Sequence, residues 1–428
     1  MERAKRLQQS PAFQKIILLL PLVLLSHFAA SQQPKQPQWI ASWTASQSVM
    51  DPDPSEPLTN LNNQTVRERL VVTVGGKQIR IRLSNEFGSA PLQLGRVSIA
   101  IAQGPAGVVP DSIHAVKFDG QESILIPPGA STLSDPVDFP VKNGAEISVS
   151  LYLPKPVTSV TGHGLALRRA VISASGDHTH DAAIQSGKES DSSVFLSTVL
   201  VPAQPNQRVI VAFGDSTVDG DGSTPEADRM WPSDLFRRLE ETHGGTQFAV
   251  VNEGLAGNRL LHEGPVASFG ASGIARFDRD ALSVPGIAYI VLLEGTNDIG
   301  FPGASFGDLH LAPANGAPTV EDITGAYKKL IARAHARNIR VIGSTIMSCE
   351  GVPITGYHTE AKEQIRQAVN QWIRTSGAFD GVVDFDAVVR DPDHPGRLLQ
   401  RFASADHLHP NDAGYQAMAD AINLSLFR

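Results

Sequence analysis

Cysteine is nearly missing. Cys349 is the only one in 428 residues, so no internal disulfide can form, and zinc–thiolate chemistry, which needs several cysteines, is excluded. Stability must therefore come from a buried core. Basic residues are in deficit: 36 Lys and Arg against 44 Asp and Glu give a formal charge of −8. That balance argues against nucleic acid or an anionic membrane surface as a partner. Low-complexity runs and internal repeats are missing too, which removes solenoid and fibrous classes. There is one long apolar run, Ile16 to Ala30, and Pro21 interrupts it. Arg3, Lys5, Arg6 and Lys15 precede it, and Ala29-Ala30-Ser31 supplies small residues for cleavage. The run is short for a bilayer span, so residues 1–31 read as a cleavable signal peptide of a secreted or periplasmic protein, with an uncleaved anchor as the alternative. No stable membrane partner is expected, and no cysteine stands directly after the run to carry a lipid. Removing residues 1–31 takes away four basic side chains and Glu2, and shifts the formal charge to −11.

A chain of about 400 mature residues exceeds what one core usually serves, which predicts two domains. Residues 38–203 read as a β-rich accessory domain. Leu70, Val72 and Val74 alternate with less apolar positions, Gly75-Gly76 offers a turn, and Ile79, Ile81 and Leu83 alternate with Arg80 and Arg82. This predicts a hairpin with one solvated face. Val97, Ile99 and Ile101 repeat the pattern, as do Ile147, Val149, Leu151 and Leu153. Short strands between Gly, Pro and Asp turns predict a β-sandwich or jelly-roll-like domain. Trp39 and Trp43 suit either a sugar-stacking platform or packing at a domain boundary. Asp177, His178 and His180 lack a further spaced ligand and read as a turn.

Pro202 to Asn206 is proline-rich and polar, and reads as a linker. After it, over residues 206–428, the rhythm changes. Apolar runs of strand length recur at 209–213, 248–251, 288–293, 339–345 and 381–385. Between them, Val320 to Asn338 places Ile323, Tyr327, Leu330, Ile331 and Ala334 on one helical face, and Thr359 to Thr375 does the same with Ile365, Val369 and Trp372 or Ile373. Alternating strands and helices predict an α/β domain with a parallel sheet wound on both faces.

Ligands of such sheets bind at the carboxyl ends of the strands. Four chemically equipped segments fall there. Gly214-Asp215-Ser216 ends the first strand and presents a hydroxyl. Asn252 to Leu261 follows the second, and Gly257 can bring a backbone N–H close to a substrate. Glu294 to Ile299 follows the third, and Asn297 carries an amide donor. Asp406-His-Leu-His409-Pro-Asn precedes a last helix predicted to begin near Pro410, a residue favoured at the first helical position. A serine nucleophile needs a base and oxyanion donors. His409 can serve as the base, and Asp406, three residues earlier, can curl back to its Nδ1 proton and fix the tautomer. The N–H groups of Ser216 and Gly257 and the amide of Asn297 make three oxyanion donors.

These four blocks, in this order, resemble the SGNH hydrolases, the Gly-Asp-Ser (GDSL-type) esterases. The resemblance covers roughly residues 208–428. The upstream region, with its Trp43-Thr-Ala start and Arg82-Leu-Ser-Asn-Glu-Phe-Gly88 segment, is similar to two-domain bacterial members grouped with xylan-associated arylesterases. The resemblance implies a flavodoxin-like three-layer domain and a Ser-His-Asp mechanism with no metal or organic cofactor. One departure is Thr217, where an aliphatic residue usually follows the serine.

His407 is expected to point away from the site, and Asp215 to order the turn below Ser216. Asp298 and Glu294 suit supporting, turn-building or capping roles. Arg259 suits a substrate contact or an internal ion pair, and Cys349 reads as a small residue near the cleft. Two loops, Gly300 to Thr319 and Ser348 to His358, are long enough to shape specificity. The expected function is a secreted serine esterase acting on short acyl esters, acetyl first, of a plant polysaccharide such as xylan. The alternatives are a broad arylesterase or lipase-like esterase, and a non-catalytic carbohydrate-binding surface protein on the same fold.

Overall fold

Five strands lie side by side in the order Phe248–Gly254, Arg208–Gly214, Ile287–Leu293, Arg340–Ser344 and Gly381–Val383, and every neighbouring pair is parallel. This computed structural model describes residues 38–50, 56–185, 187–243 and 247–428; the segment read as a signal peptide lies outside them. In chain order the strands run 2-1-3-4-5, the doubly wound order whose switch point falls beside the first strand. Each strand is apolar throughout because both faces are covered. Val209, Val211 and Phe213 enter one core while Ile210 and Ala212 enter the other, as the two-residue period of a strand requires.

One layer is made by the helices Val320–His335 and Glu360–Thr375, which bury Tyr327, Leu330, Val369 and Ile373. The opposite layer is made by Trp231–His243, Phe385–Val389 and Asp412–Ala421, around Trp231, Phe385, Tyr415 and Met418. The helices begin where the sequence offers caps. Thr319 and Asp322 form a reciprocal capping box, and the Thr359 side chain accepts from Lys362 N–H. The last helix departs from expectation. It starts at Asp412, and Asn411 is its cap, accepting from Gly414 N–H. Pro410 precedes the cap instead of opening the helix, because the asparagine side chain is the better partner for the free N–H groups.

The region before residue 203 consists mostly of strands. One antiparallel sheet contains Trp39–Thr44, Leu196–Pro202, Gly76–Asn85 and Val137–Val141, with Ala130–Leu133 also paired to Gly76–Asn85. A second contains Lys188–Ser190, Ala170–Ser175, Gln64–Val71, Glu146–Leu153, Val97–Ile101 and His114–Val116. The expected Gly75-Gly76 hairpin does not form: the strands before and after it belong to different sheets. Residues 72–75 bridge the two sheets, with Val72 N–H donating to Ala145 O and Thr73 N–H to Ser42 O. Gly75 backs onto Val141 so closely that a Cβ would lie 2.2 Å from its carbonyl oxygen. The glycine pair serves a crossover under steric pressure.

Pro37–Arg428 is one compact unit. The apolar residues of both antiparallel sheets and of one face of the parallel sheet form a single core. Trp39 and Trp43 are half-buried against it. Ala41 N–H donates to Pro285 O at 2.9 Å, and Ile40 packs on Gly286, where a Cβ would lie 2.5 Å from Ile40. Gly286 also has φ +86°, so Gly286→Ala both strains the backbone and pushes the first strand off the parallel sheet. It is expected to cost about 1–3 kcal/mol, as core overpacking does, read as a lower denaturant midpoint.

Candidate active site

The first parallel strand ends at Gly214, where a Cβ would lie 1.8 Å from Leu293 O. Only glycine lets the chain turn here against the third strand. Asp215 then caps a one-turn helix, Ser216–Asp219, by accepting from Thr217 N–H at 3.0 Å. Ser216 thus stands at the helix entrance, 8% exposed. Gly220, with φ 115°, ends the turn.

His409 comes to Ser216 from the other end of the domain. Its Nε2 lies 2.8 Å from Ser216 Oγ, and its Nδ1 lies 2.6 Å from Asp406 Oδ2. With Nδ1–H donated to the carboxylate, Nε2 is left as the acceptor for the serine hydroxyl. Asp406 Oδ1 also accepts from the Ser404 hydroxyl at 2.6 Å and from the N–H groups of Leu408 and His409 at 2.8 and 2.9 Å. Burial alone would raise the Asp406 pKa, but the bond and charge of His409 with these other donors hold it well below the usual carboxylate range. His407 is exposed at φ 56° and points out of this arrangement.

Burial tends to lower the pKa of His409. The Asp406 hydrogen bond, together with the charges of Asp221 and Asp406, outweighs it and raises the group above its ordinary value. Asp221, whose Oδ2 is 3.7 Å from Nδ1, is a second carboxylate at the imidazole that the sequence reading passed over. The signal was present, because it lies five residues after Ser216 on the same turn.

The proposed oxyanion donors come from three loops at the same sheet edge. Among the described residues the N–H groups of Ser216 and Gly257 have no protein acceptor. Gly257 has φ 75° and abuts the Phe269 ring, 2.3 Å from where a Cβ would lie, so no other residue fits. Asn297 Nδ2 donates one proton to Asn258 O at 2.8 Å, and among the described residues its second proton has no protein acceptor. Its Oδ1 accepts from the Tyr357 hydroxyl at 2.8 Å, which fixes the rotation of the amide. Tyr357, fully buried, is a further residue missed in sequence.

The supporting residues now have assignments. Asp298 accepts from Leu260 and Leu261 N–H at 2.6 and 2.9 Å, shaping the loop after Gly257. Glu294 lies 3.3 Å from Arg276 in a fully buried pair. Among the described residues Arg259 Nε is buried without a hydrogen-bond partner, and the charge of Asp298 acts on it. Burial pushes the Cys349 thiol up to about 12, which keeps it un-ionised. Asp177 caps its own turn through Thr179, and His178 pairs with Asp181 at 2.7 Å. Among the described residues no group of three or more His, Cys, Asp or Glu is arranged to hold a metal ion. The two long loops pack on each other: Ser305 N–H donates to Thr355 O at 2.9 Å, and Phe301, Leu311, Cys349 and Tyr357 share a small core.

A doubly wound sheet with this set of residues at its switch point defines a hydrolase class, and the chain is a carboxylic ester hydrolase. Residues 212–417 match the model of the GDSL-like lipase/acylhydrolase family. No curated protein matches the sequence. Similar solved structures include an aryl esterase from M. smegmatis, at 17% identity and TM-score 0.38, covering 50% of this chain and 95% of that one. An acetylxylan esterase from Geobacillus stearothermophilus is 18% identical with TM-score 0.38, covering 53% and 97%. A lipase/acylhydrolase from Enterococcus faecalis is 20% identical with TM-score 0.36, covering 50% and 93%.

Two predictions follow from the geometry. A base must be neutral to accept a proton, so a raised His409 pKa moves the acid limb of kcat/KM upward, to a midpoint above 6.5. Asp221→Asn removes one of the charges that raise it, and the limb should move to lower pH. Tyr357→Phe frees the Asn297 amide to rotate. It should lower kcat about tenfold with KM little changed, less than the 10²–10³ typical of deleting an oxyanion donor outright. Steady-state kinetics on p-nitrophenyl acetate across pH read both.

Proposed function

We propose that the protein is a serine esterase in which Ser216, His409 and Asp406 form the catalytic triad and Ser216, Gly257 and Asn297 the oxyanion hole. The observation that carries this reading is the hydrogen-bonded chain from Ser216 Oγ through His409 to Asp406. Ser216 Oγ attacks the ester carbonyl while its proton passes to His409 Nε2. The carbonyl oxygen becomes an oxyanion held by the two backbone N–H groups and the free Asn297 amide proton. As the tetrahedral intermediate collapses, the C–O bond breaks and the alcohol leaves with the proton from His409. Water then attacks the acyl-enzyme, its proton passing to His409 and from there to Ser216 Oγ as the acid is released. Asp406 stays ionised throughout and stabilises the imidazolium.

For the substrate we propose short acyl esters, acetyl first, carried on a plant polysaccharide such as xylan, met outside the cytoplasm. Its support is the reading of an exported, acidic chain with a strand-rich region in front of the hydrolase. A second reading has a specific observation behind it. Phe269 abuts Gly257, and the half-buried Val352, Ile354 and Leu408 pack on the Phe301–Tyr357 core next to His409. This apolar surface suits an aryl or lipidic ester.

The test compares wild type with Ser216→Ala on acetylated xylo-oligosaccharides and on p-nitrophenyl acetate, butyrate and octanoate. Acetate release from the oligosaccharide by wild type alone supports the triad and the glycan ester together. Turnover of the aryl esters alone keeps the triad and favours the second reading. Undiminished turnover by folded Ser216→Ala refutes the nucleophile.

A further inference from the structure

The strand-rich region reaches beneath the active-site loops at His163. This residue lies on the short strand Thr161–His163 and is 5% exposed. Its Nδ1 is 2.9 Å from Ser46 O, and its Nε2 is 2.9 Å from Asp219 Oδ1 and 3.0 Å from Leu165 O. All three partners are acceptors. Both ring nitrogens must therefore carry hydrogen, and His163 is an imidazolium paired with the Asp219 carboxylate.

Asp219 is the last residue of the one-turn helix that begins with Ser216. Its other oxygen, Oδ2, accepts from Ala256 N–H at 3.0 Å. Ala256 immediately precedes Gly257. The same helix is pressed against the second strand, since a Cβ at Gly254 would lie 2.1 Å from Asp219 N. Asn252 Nδ2 also donates to Val218 O at 2.8 Å. Asp219 thus joins the nucleophile's helix directly to Ala256 N–H, in the loop that presents the Gly257 N–H, alongside the Asn252 amide.

We infer that His163 is a positioning residue for the hydrolase. Through its ion pair with Asp219 it holds the Ser216 helix and the Gly257 loop in fixed relation, so that a side chain of the strand-rich region sets the oxyanion site. The inference rests on the reading of Gly257 as an oxyanion donor. A neutral or missing partner at 163 leaves Asp219 buried without its cation, and the carboxylate must then shift or take up a proton. Either change releases Ala256 N–H and lets the adjacent donor drift. The groups facing His163 are Asp219 on the helix, the Ser46 and Leu165 carbonyls, and Glu68 on Gln64–Val71. Burial pushes the Glu68 carboxyl up to about 8, against the opposing Val194 N–H and the charge of His163. Burial thus favours its neutral form, which weakens its pull on the imidazolium.

The experiment measures kcat and KM for p-nitrophenyl acetate, inhibition by a boronic acid that forms a tetrahedral adduct, and thermal midpoint. The proteins are wild type, His163→Ala, Asp219→Ala, the double variant and Ser216→Ala. Each single variant should lose about 10- to 100-fold in kcat, the scale of a misplaced catalytic group, with little change in KM and a parallel loss of boronate affinity. The double variant should be no worse than the poorer single one, because both act through one link. Wild-type kcat in folded His163→Ala, or losses that multiply in the double variant, overturns the inference. Should the alanine variant not fold, His163→Gln keeps one donor without the charge: lowered kcat at unchanged KM supports the proposal, and wild-type kcat overturns it. Ser216→Ala separates the layers, since full activity there removes the underlying reading, whatever His163 does.

Discussion

The guanidinium of Arg276 is fully buried and touches the segments that carry Ser216, Gly257 and Asn297. Its Nη2 donates to Gly214 O at 2.7 Å, its Nε to Asn258 Oδ1 at 2.7 Å, and its Nη2 lies 3.3 Å from Glu294 Oε2. Those partners stand two residues before Ser216, one after Gly257 and three before Asn297. Nη1 adds Ser46 Oγ and Glu253 O at 3.0 Å and Asp280 Oδ2 at 3.2 Å, while the Phe213 ring lies 4.1 Å from the cation. Arginine alone has a planar fork of five donors able to serve this many acceptors at once. A buried charge so placed is poor value as stability, but removing it would strand several acceptors in a low-dielectric interior. The gain is geometric: three loops with no direct chain connection acquire one shared reference point.

The same logic explains the compact union of the strand-rich region with the hydrolase. Ser46 lies on that side yet meets Arg276 and, at 2.8 Å, Glu253. Its carbonyl also receives His163, which holds Asp219. Thr44 donates to Asn252 O at 3.2 Å, close to where the second strand delivers its loop. Oxyanion stabilisation depends on donors that need no reorganisation when charge develops. Loops at the end of a sheet are held from one side only, and the strand-rich region supplies the other side.

Much of this was legible in the sequence where the signal was local. The five parallel strands are short apolar runs bounded by turns, although the second continues through Asn252 and Glu253 to Gly254 and the fifth stops at Val383. The helices announce their caps at Thr319 and Thr359. Ser216, Gly257, Asn297 and Asp406–His409 each follow a strand or precede a helix, so their common edge could be argued from topology. Pairing in the antiparallel half was not legible. Alternation at Leu70–Val74 and Ile79–Leu83 tells which side chains face inward but not which strand is the neighbour, and the two runs enter different sheets. Arg276, beside Asp278 and Asp280, reads as an ordinary surface charge; only tertiary contacts reveal it as the hub. His163 and Tyr357 were hidden for the same reason, since their partners lie 56 and 60 residues away.

Asp406 and His409 sit three residues apart on one short loop and hydrogen-bond to each other at 2.6 Å. In hydrolases with widely separated acid and base, two elements must be aligned before the histidine is oriented. Here Asp406 both builds the loop and orients the ring, spending Oδ1 on Ser404, Leu408 and His409 N–H and Oδ2 on Nδ1. Closing so tight a turn places His407 at φ 56°, in the left-handed region that histidine enters more readily than most residues. Asn411 then ties the loop to the last helix by accepting from Gly414 N–H and donating to Arg401 and Ala403 carbonyls at 3.0 Å. The Asp406–His409 pair is therefore nearly self-contained, and its alignment with the rest of the molecule comes down to a single distance, the 2.8 Å from His409 Nε2 to Ser216 Oγ. That distance depends on where the Ser216 helix sits, and the buried contacts of Asp219 with Ala256 and of Arg276 with Gly214 hold the helix in place.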